Sequence, residues 1–209
     1  MAQFQNCHLL GKTQFFHFLN DSSYSGFYYF DDIEFSKKKK NILKFNDYLL
    51  KDFEDTAFFV SLGYKNLKAK HHILSDLKNK NRLIPTFFHH TSFINKSACI
   101  ESGAFIYPMC NIDKNVIIKM GTLLNNNVVI SHDSIIGNCC YLSPGVIVSG
   151  NVTIGDYTFV GSGSVISNNI KIGNNVVVGI GTVVSKDIPD NTTVIGNPMK
   201  IINHQLNII

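Results

Sequence analysis

The sequence predicts a parallel β-helix preceded by a small α/β domain, on three observations. Counting in sixes from Ile94 places an aliphatic residue at every step to Val184, through Ile100, Ile106, Ile112 and so on. The residue two before each of these is nearly always small or β-branched, as in Ala104, Cys110, Thr122, Ser134 and Val146, while Gly and Asn crowd the places between, as in Ile172-Gly173-Asn174-Asn175. Before about residue 93 the period is absent and Phe, Tyr and Lys replace Gly. A hexapeptide period marks a β-helix. Each short strand turns one aliphatic side chain inward, and a residue able to take φ > 0 re-aims the chain. Stacked coils then bury an aliphatic column that no single repeat can bury alone.

The elements follow in order. A strand is expected over 7–10 ahead of Gly11, a helix over 14–19, and a strand over 26–30 ending at Asp31-Asp32. Residues 53–62 read as a buried strand before Gly63, and 67–80 as a helix with apolar positions at Leu67, Ile73, Leu74 and Leu77. Alternating strands and helices argue for a parallel α/β unit, whose ligands sit at the carboxyl ends of its strands. Those ends are Leu10-Gly11-Lys12, Asp31-Asp32 and Leu62-Gly63-Tyr64. Residues 82–93 lead into the prism, so the expected domains are 1–90 and 91–209. After Val184 the period breaks at Asp187-Ile188-Pro189-Asp190-Asn191, and the closing segment of the chain is expected to cap the final coil, whose backbone would otherwise be unpaired.

Composition excludes several classes. The net charge of +4 is mild and no basic stripe is interleaved with aromatics, so no nucleic-acid partner is expected. The one basic run, Lys37 to Lys40, reads as a solvated tip. No stretch approaches the ~18 apolar residues of a membrane helix, and Met1-Ala2-Gln3-Phe4-Gln5-Asn6 does not start a signal peptide. Five scattered cysteines form no CxxC pair and no disulfide framework, which fits a reducing cytoplasm. Within the repeats, from Ile94 to Val184, the only histidine is His132. A zinc-dependent carbonic anhydrase on such a prism needs three, so no metal is expected. The threonines make no flat rank of the kind an ice-binding face requires.

His132 sits two residues after the inward Ile130, in a turn position that projects its ring outward. An imidazole suits the removal of a proton from an attacking amine or hydroxyl at neutral pH. The neighbouring Asp133 would orient that ring and support the imidazolium, provided a turn brings it round. Gly150 stands one full coil above His132 if three hexapeptides close a turn.

Ser131-His132-Asp133-Ser134-Ile135-Ile136-Gly137 and Ile195-Gly196-Asn197-Pro198-Met199-Lys200-Ile201, together with the repeats, resemble the left-handed β-helix hexapeptide acyltransferases. Within them the chain is most similar to the sialic-acid-acetyltransferase-like (PglD/NeuD-type) nucleotide-sugar N-acetyltransferases. Phe88-His89-His90-Thr91-Ser92-Phe93-Ile94 is similar to the family's entry into the first coil. The N-terminus, Leu10-Gly11-Lys12-Thr13, matches only weakly. The resemblance implies a left-handed β-helix of about five regular coils, a Rossmann-like N-terminal domain, acetyl-CoA as co-substrate without a metal, and homotrimers with acetyl-CoA between neighbouring prisms. It implies N-acetylation of a nucleotide-linked amino sugar, dTDP- or UDP-4-amino-4,6-dideoxyhexose, for surface glycans such as lipopolysaccharide. O-acetylation of a sugar hydroxyl by the same base is the alternative. His132 would be the base with Asp133 beside it. Gly150 would give its N–H to the thioester carbonyl; Gly161, Gly179, Asn197, Pro198 and Lys200 would line the rest of the cofactor. Gly11, Asp31, Asp32, Gly63, Lys65 and His90 would hold the nucleotide sugar, with Tyr141 where the family often has a second histidine.

Overall fold

A computed structural model of the chain describes residues 7–10, 29–30, 42–43 and 56–202. The chain divides into two compact units, Met1–Pro85 and Thr86–Ile209, shortly ahead of the expected boundary. In the first unit the described strands are β1 (Cys7–Leu10), β2 (Tyr29–Phe30), β3 (Ile42–Leu43) and β4 (Ala57–Val60). All pair parallel in the order β3-β2-β1-β4. β3 has no strong apolar run, and the sequence does not announce it. β4 is shorter than the 53–62 reading but wholly buried, as its Ala-Phe-Phe-Val run requires of a strand covered on both faces. In register, Leu10 lies opposite Phe30 and Val60, so these three strands end level with one another. The expected helix over 14–19, and Gly11, Asp31 and Asp32 themselves, lie outside the described residues.

The helix α1 (Leu67–Asn79) ends within a residue of expectation. Asn66 caps it by accepting the Ala69 N–H at 3.2 Å. Leu67, Lys70, Leu74 and Leu77 form its buried face.

The second unit is a parallel β-solenoid of about six turns. Its two-residue strands stack into three faces. One face carries Phe87–Phe88, Phe105–Ile106, Leu123–Leu124, Tyr141–Leu142, Phe159–Val160 and Val177–Val178. The second runs from Phe93–Ile94 through Val129–Ile130 and Ile147–Val148 to Val183–Val184. The third runs from Cys99–Ile100 through Ile135–Ile136 to Lys171–Ile172. Strands pair with their equivalents in the next coil, as Val129 with Ile147 and Tyr141 with Phe159, so three hexapeptides do close a turn. The solenoid starts earlier than the 82–93 lead-in suggests: Phe88 occupies the inward frame, but as an aromatic it escapes an aliphatic count.

The counted column is the core. Every residue of the series from Ile106 to Val184 is buried. Three residues beyond each inward aliphatic, the backbone takes φ > 0 at every sixth position from Gly103 to Gly181. Gly and Asn fill most of these places because they tolerate the left-handed region; Met109, Cys139 and Tyr157 occupy it without that advantage. From Gly121 to Gly181 the N–H at each such turn donates to a turn carbonyl of the coil below, as from Asn151 to His132 at 3.0 Å.

The small residues two before the inward aliphatics have a polar task. Ser134 Oγ donates to Ser149 O at 3.0 Å and accepts from the Val152 N–H at 3.1 Å; Thr122, Thr158 and Ser164 repeat the pattern. Buried hydroxyls thus satisfy backbone groups that would otherwise be orphaned.

The period does not break after Val184; it loses two residues. Ile188 bridges Ile172 and Val194 pairs with Val178, each two short of a full coil, and both are buried. The matching turn contacts, such as Asn174 N–H to Asp190 Oδ1 at 2.7 Å, are shortened by the same two. Lys200–Ile202 then folds back antiparallel on Thr193–Ile195.

One polar atom stands out. Asn126 Oδ1 is buried without a partner. On another edge the side-chain oxygen at this turn position accepts from the N–H of its equivalent in the coil below, as Asp156 does from Asn138 and Asn174 from Asp156. The equivalent below Asn126 is Pro108, which has no N–H.

Leu142→Ala, which empties a fully buried inward position, is expected to lower unfolding stability by about 2–5 kcal/mol. Urea unfolding followed by far-UV circular dichroism measures it.

Candidate active site

His132 follows Val129–Ile130 and precedes Ile135–Ile136, so it stands on the edge between the second and third faces. The side chain is about half exposed. One residue per coil stacks at this place on the edge: Lys114 below, then His132, Gly150 and Asn168.

Adjacent residues in extended chain point apart, so a His–Asp pair in sequence needs a special backbone. Asp133 supplies it: its φ is +58°, one of the regular series of left-handed turns. That turn brings Asp133 Oδ2 to 2.8 Å from His132 Nδ1. The other oxygen, Oδ1, accepts a hydrogen bond from Asn115 Nδ2, one coil below, at 2.9 Å. Asn115 itself stands in the left-handed turn of its coil. The Asn115 hydrogen bond, then that from His132, holds the Asp133 carboxyl below the usual carboxylate range. With Nδ1 facing a carboxylate, the ring carries its proton there and leaves Nε2 as the acceptor. Sequence reasoning does not single out Asn115; the available signal is its place directly under Asp133 in the coil below.

Gly150 makes room for this ring. A Cβ there would lie 2.7 Å from both Cε1 and Nε2 of His132, so any side chain would push the imidazole off its seat. The Gly150 N–H, however, donates to Asn168 Oδ1 at 2.9 Å. The expectation that this amide meets a thioester carbonyl therefore requires the Asn168 carboxamide to give way first.

The remaining expected residues are not brought to this edge. Tyr141 stands on the first face, across the prism from His132. Its hydroxyl accepts from Asn125 Nδ2 at 3.0 Å, and its ring stacks on Phe159 with centroids 5.7 Å apart. Gly161, Gly179 and Asn197-Pro198 follow strands of the first face and gather on the edge between the first and second faces. At Gly161 a Cβ would meet Ile180 N at 2.6 Å, and at Gly179 the Ile195 side chain at 2.7 Å. Both glycines are therefore demanded by coil stacking. Lys200 is exposed opposite Ile195 in the closing hairpin.

His90 is exposed and lies against the His89 ring at 4.3 Å. In the first unit Gly63 precedes the short turn Tyr64–Asn66 with an ordinary φ of −73°, and a Cβ there would meet nothing within 4 Å. No contact among the described residues demands a glycine at that strand end. Lys65 is exposed beside it. Among the described residues no group of His, Cys, Asp and Glu is placed to hold a metal, and no helix is long and apolar enough to cross a membrane.

Residues 133–168 match the family model described as bacterial transferase hexapeptide (six repeats). No curated protein matches the chain. Among solved structures, the acetyltransferase domain of PglB from Neisseria gonorrhoeae FA1090 is 22% identical, with 95% of this chain and 100% of that one aligned at a TM-score of 0.84. PerB from Caulobacter crescentus, in complex with CoA and GDP-perosamine, is 19% identical over 95% and 97% of the two chains at 0.85. WeeI from Acinetobacter baumannii AYE is 22% identical over 95% and 100% at 0.80. The chain shares their fold over nearly its whole length.

Two outcomes test the geometry. Asn115→Ala is expected to raise the Asp133 pKa, read by carbon-13 NMR of the carboxyl. The sign follows from linkage: a carboxyl held low in the folded state stabilises above its unfolded pKa, and that contribution is lost as pH falls through the folded value. In the variant the contribution is smaller and its loss is complete at a higher pH. Gly150→Ala is expected to displace the imidazole, read as a changed His132 Cε1–H chemical shift and a His132–Asp133 separation beyond hydrogen-bond length.

Proposed function

We propose that this chain transfers an acetyl group from acetyl-CoA to the amino group of a nucleotide-linked amino sugar. The observation that carries the reading is the half-exposed His132 ring, oriented through Nδ1 by Asp133 and lying with its Nε2 side over Gly150. An imidazole so held is a general base with a fixed tautomer. The sugar nitrogen attacks the thioester carbon, its proton passes to Nε2, the C–S bond breaks, and the leaving sulfur takes the proton as free CoA. The fold shared with a structure that binds CoA and GDP-perosamine supports the substrate class, and the hexapeptide match at 133–168 supports acyl transfer.

The proposal includes a left-handed winding and a homotrimer. Within one chain, His132 and the expected cofactor residues Gly161, Gly179, Asn197 and Pro198 occupy different edges of the prism. Packing edge against edge around a threefold axis joins them, and brings Tyr141 of one prism toward His132 of the next. Lys200 is assigned to a CoA phosphate. Gly150 is assigned to the seat of the reacting groups. The N-terminal unit, read as Rossmann-like, is assigned the nucleotide. Gly63 fits close approach of a diphosphate, since no described neighbour requires it to be glycine; Gly11, Asp31, Asp32, Lys65 and His90 complete the assignment. The nucleotide is dTDP or UDP, the sugar a 4-amino-4,6-dideoxyhexose for surface glycans, and the compartment the cytoplasm.

Incubation with acetyl-CoA and the amino-sugar nucleotide, against its 4-hydroxy analogue, tests the reading by release of free thiol. The amino compound is expected to react. Reaction of the hydroxyl analogue alone identifies an O-acetyltransferase, and release with neither overturns the assignment. His132→Ala is expected to lower kcat by roughly 10²–10⁴-fold. The wild-type rate is expected to fall in acid, where the amine is protonated and cannot attack.

A further inference from the structure

We infer that Asn168 is a catalytic residue whose Nδ2 donates a hydrogen bond to the thioester carbonyl oxygen as it takes up negative charge. The inference rests on the acetyl-transfer reading and supplies a donor that the reading lacks. Two side chains converge on Gly150 from opposite sides. From the coil below, the His132 ring lies against the position where a Cβ would stand. From the coil above, Asn168 reaches down so that its Oδ1 accepts the Gly150 N–H at 2.9 Å. An amide N–H can be met only by the oxygen of a carboxamide, so this bond fixes which end of Asn168 faces the backbone. The Nδ2 end is thereby turned away from Gly150. It has no partner among the described residues, and the residue is exposed.

The chemistry follows from that placement. Attack by nitrogen on the thioester carbon turns the carbonyl into an oxyanion before the C–S bond breaks, and a preorganised donor at that oxygen stabilises the change. The Gly150 N–H is occupied, and it polarises the carboxamide that occupies it, which makes Nδ2–H the better donor. The base and the donor then stand one rung below and one rung above the same glycine, so an acetyl group laid over Gly150 meets both. Gly150 serves in two ways, admitting the imidazole and anchoring the donor.

The test compares Asn168→Asp and Asn168→Ala in steady-state acetyl transfer, with CoA binding measured by calorimetry and folding by thermal unfolding. Asn168→Asp keeps an oxygen for the Gly150 N–H and removes the donor. Both variants are expected to lose roughly 10²–10³-fold in kcat, with CoA affinity changed by no more than a few-fold. A purely structural Asn168 predicts the opposite for Asn168→Asp: a near wild-type kcat, which would overturn the inference. An unimpaired or faster Asn168→Ala also overturns it, because that result makes the released Gly150 N–H the donor. An inactive wild type sinks the acetyl-transfer reading itself, whereas an active wild type with an active Asn168→Asp sinks only this inference.

Discussion

Backbone hydrogen bonding between residues one coil apart is the constraint under which everything else in the second unit is arranged. Strand N–H groups reach up to carbonyls of the next coil, as from Ser131 to Val148, and turn N–H groups reach down to the coil before, as from Asn151 to His132. These bonds hold the rungs at the spacing of neighbouring β-strands, about 4.8 Å, and they leave the chain little freedom to wander. Side chains at equal places in successive coils must therefore stack. Inward, this yields the continuous aliphatic column; at the corners, it yields columns of turn residues that either latch to one another or present themselves to solvent.

The His132 edge shows how chemistry can be written on such a frame. The carboxylate partner is the next residue in sequence, available only because the turn there is left-handed. Its second oxygen is secured from the coil below by Asn115, and the space for the ring is cleared in the coil above by Gly150. Three successive rungs thus define one imidazole. The same stacking rule places the expected cofactor residues on a different edge of the prism from His132.

Much of this is legible because a fixed period converts position in sequence into position in space. The inward series, the turn placing His132 outward and the stacking of Gly150 on it all follow from counting. What escapes counting has physical reasons. Phe88 belongs to the frame but not to the aliphatic class. The last coil keeps its inward residues Ile188 and Val194 while dropping two others, so a strict six misses them. Asn115 and Asn168 look like any other turn asparagine, since the direction of a carboxamide is set by the rungs above and below. The same blindness hides the engagement of the Gly150 N–H. In the first unit, short strands with no repeat give the count nothing to act on: β3 carries no pattern of its own, and the ends of β4 are set by its neighbours.

The unmatched Asn126 oxygen has a consequence for how the prism behaves as a material. Along the edge between the third and first faces, side-chain oxygens bolt successive rungs together, in the run from Asn138 through Asp156 and Asn174 to Asp190. On the edge between the first and second faces, Pro108 and Pro144 remove the amides that such bolts would grip. At the Pro144 rung that edge keeps only backbone bonds between turns, and at the Pro108 rung a single side-chain contact, the Met109 N–H to Thr91 Oγ1 at 3.1 Å, takes the place of the missing one. It is also where the proposed cofactor residues fall, so the edge with the fewest cross-rung side-chain latches is the one assigned to the cofactor.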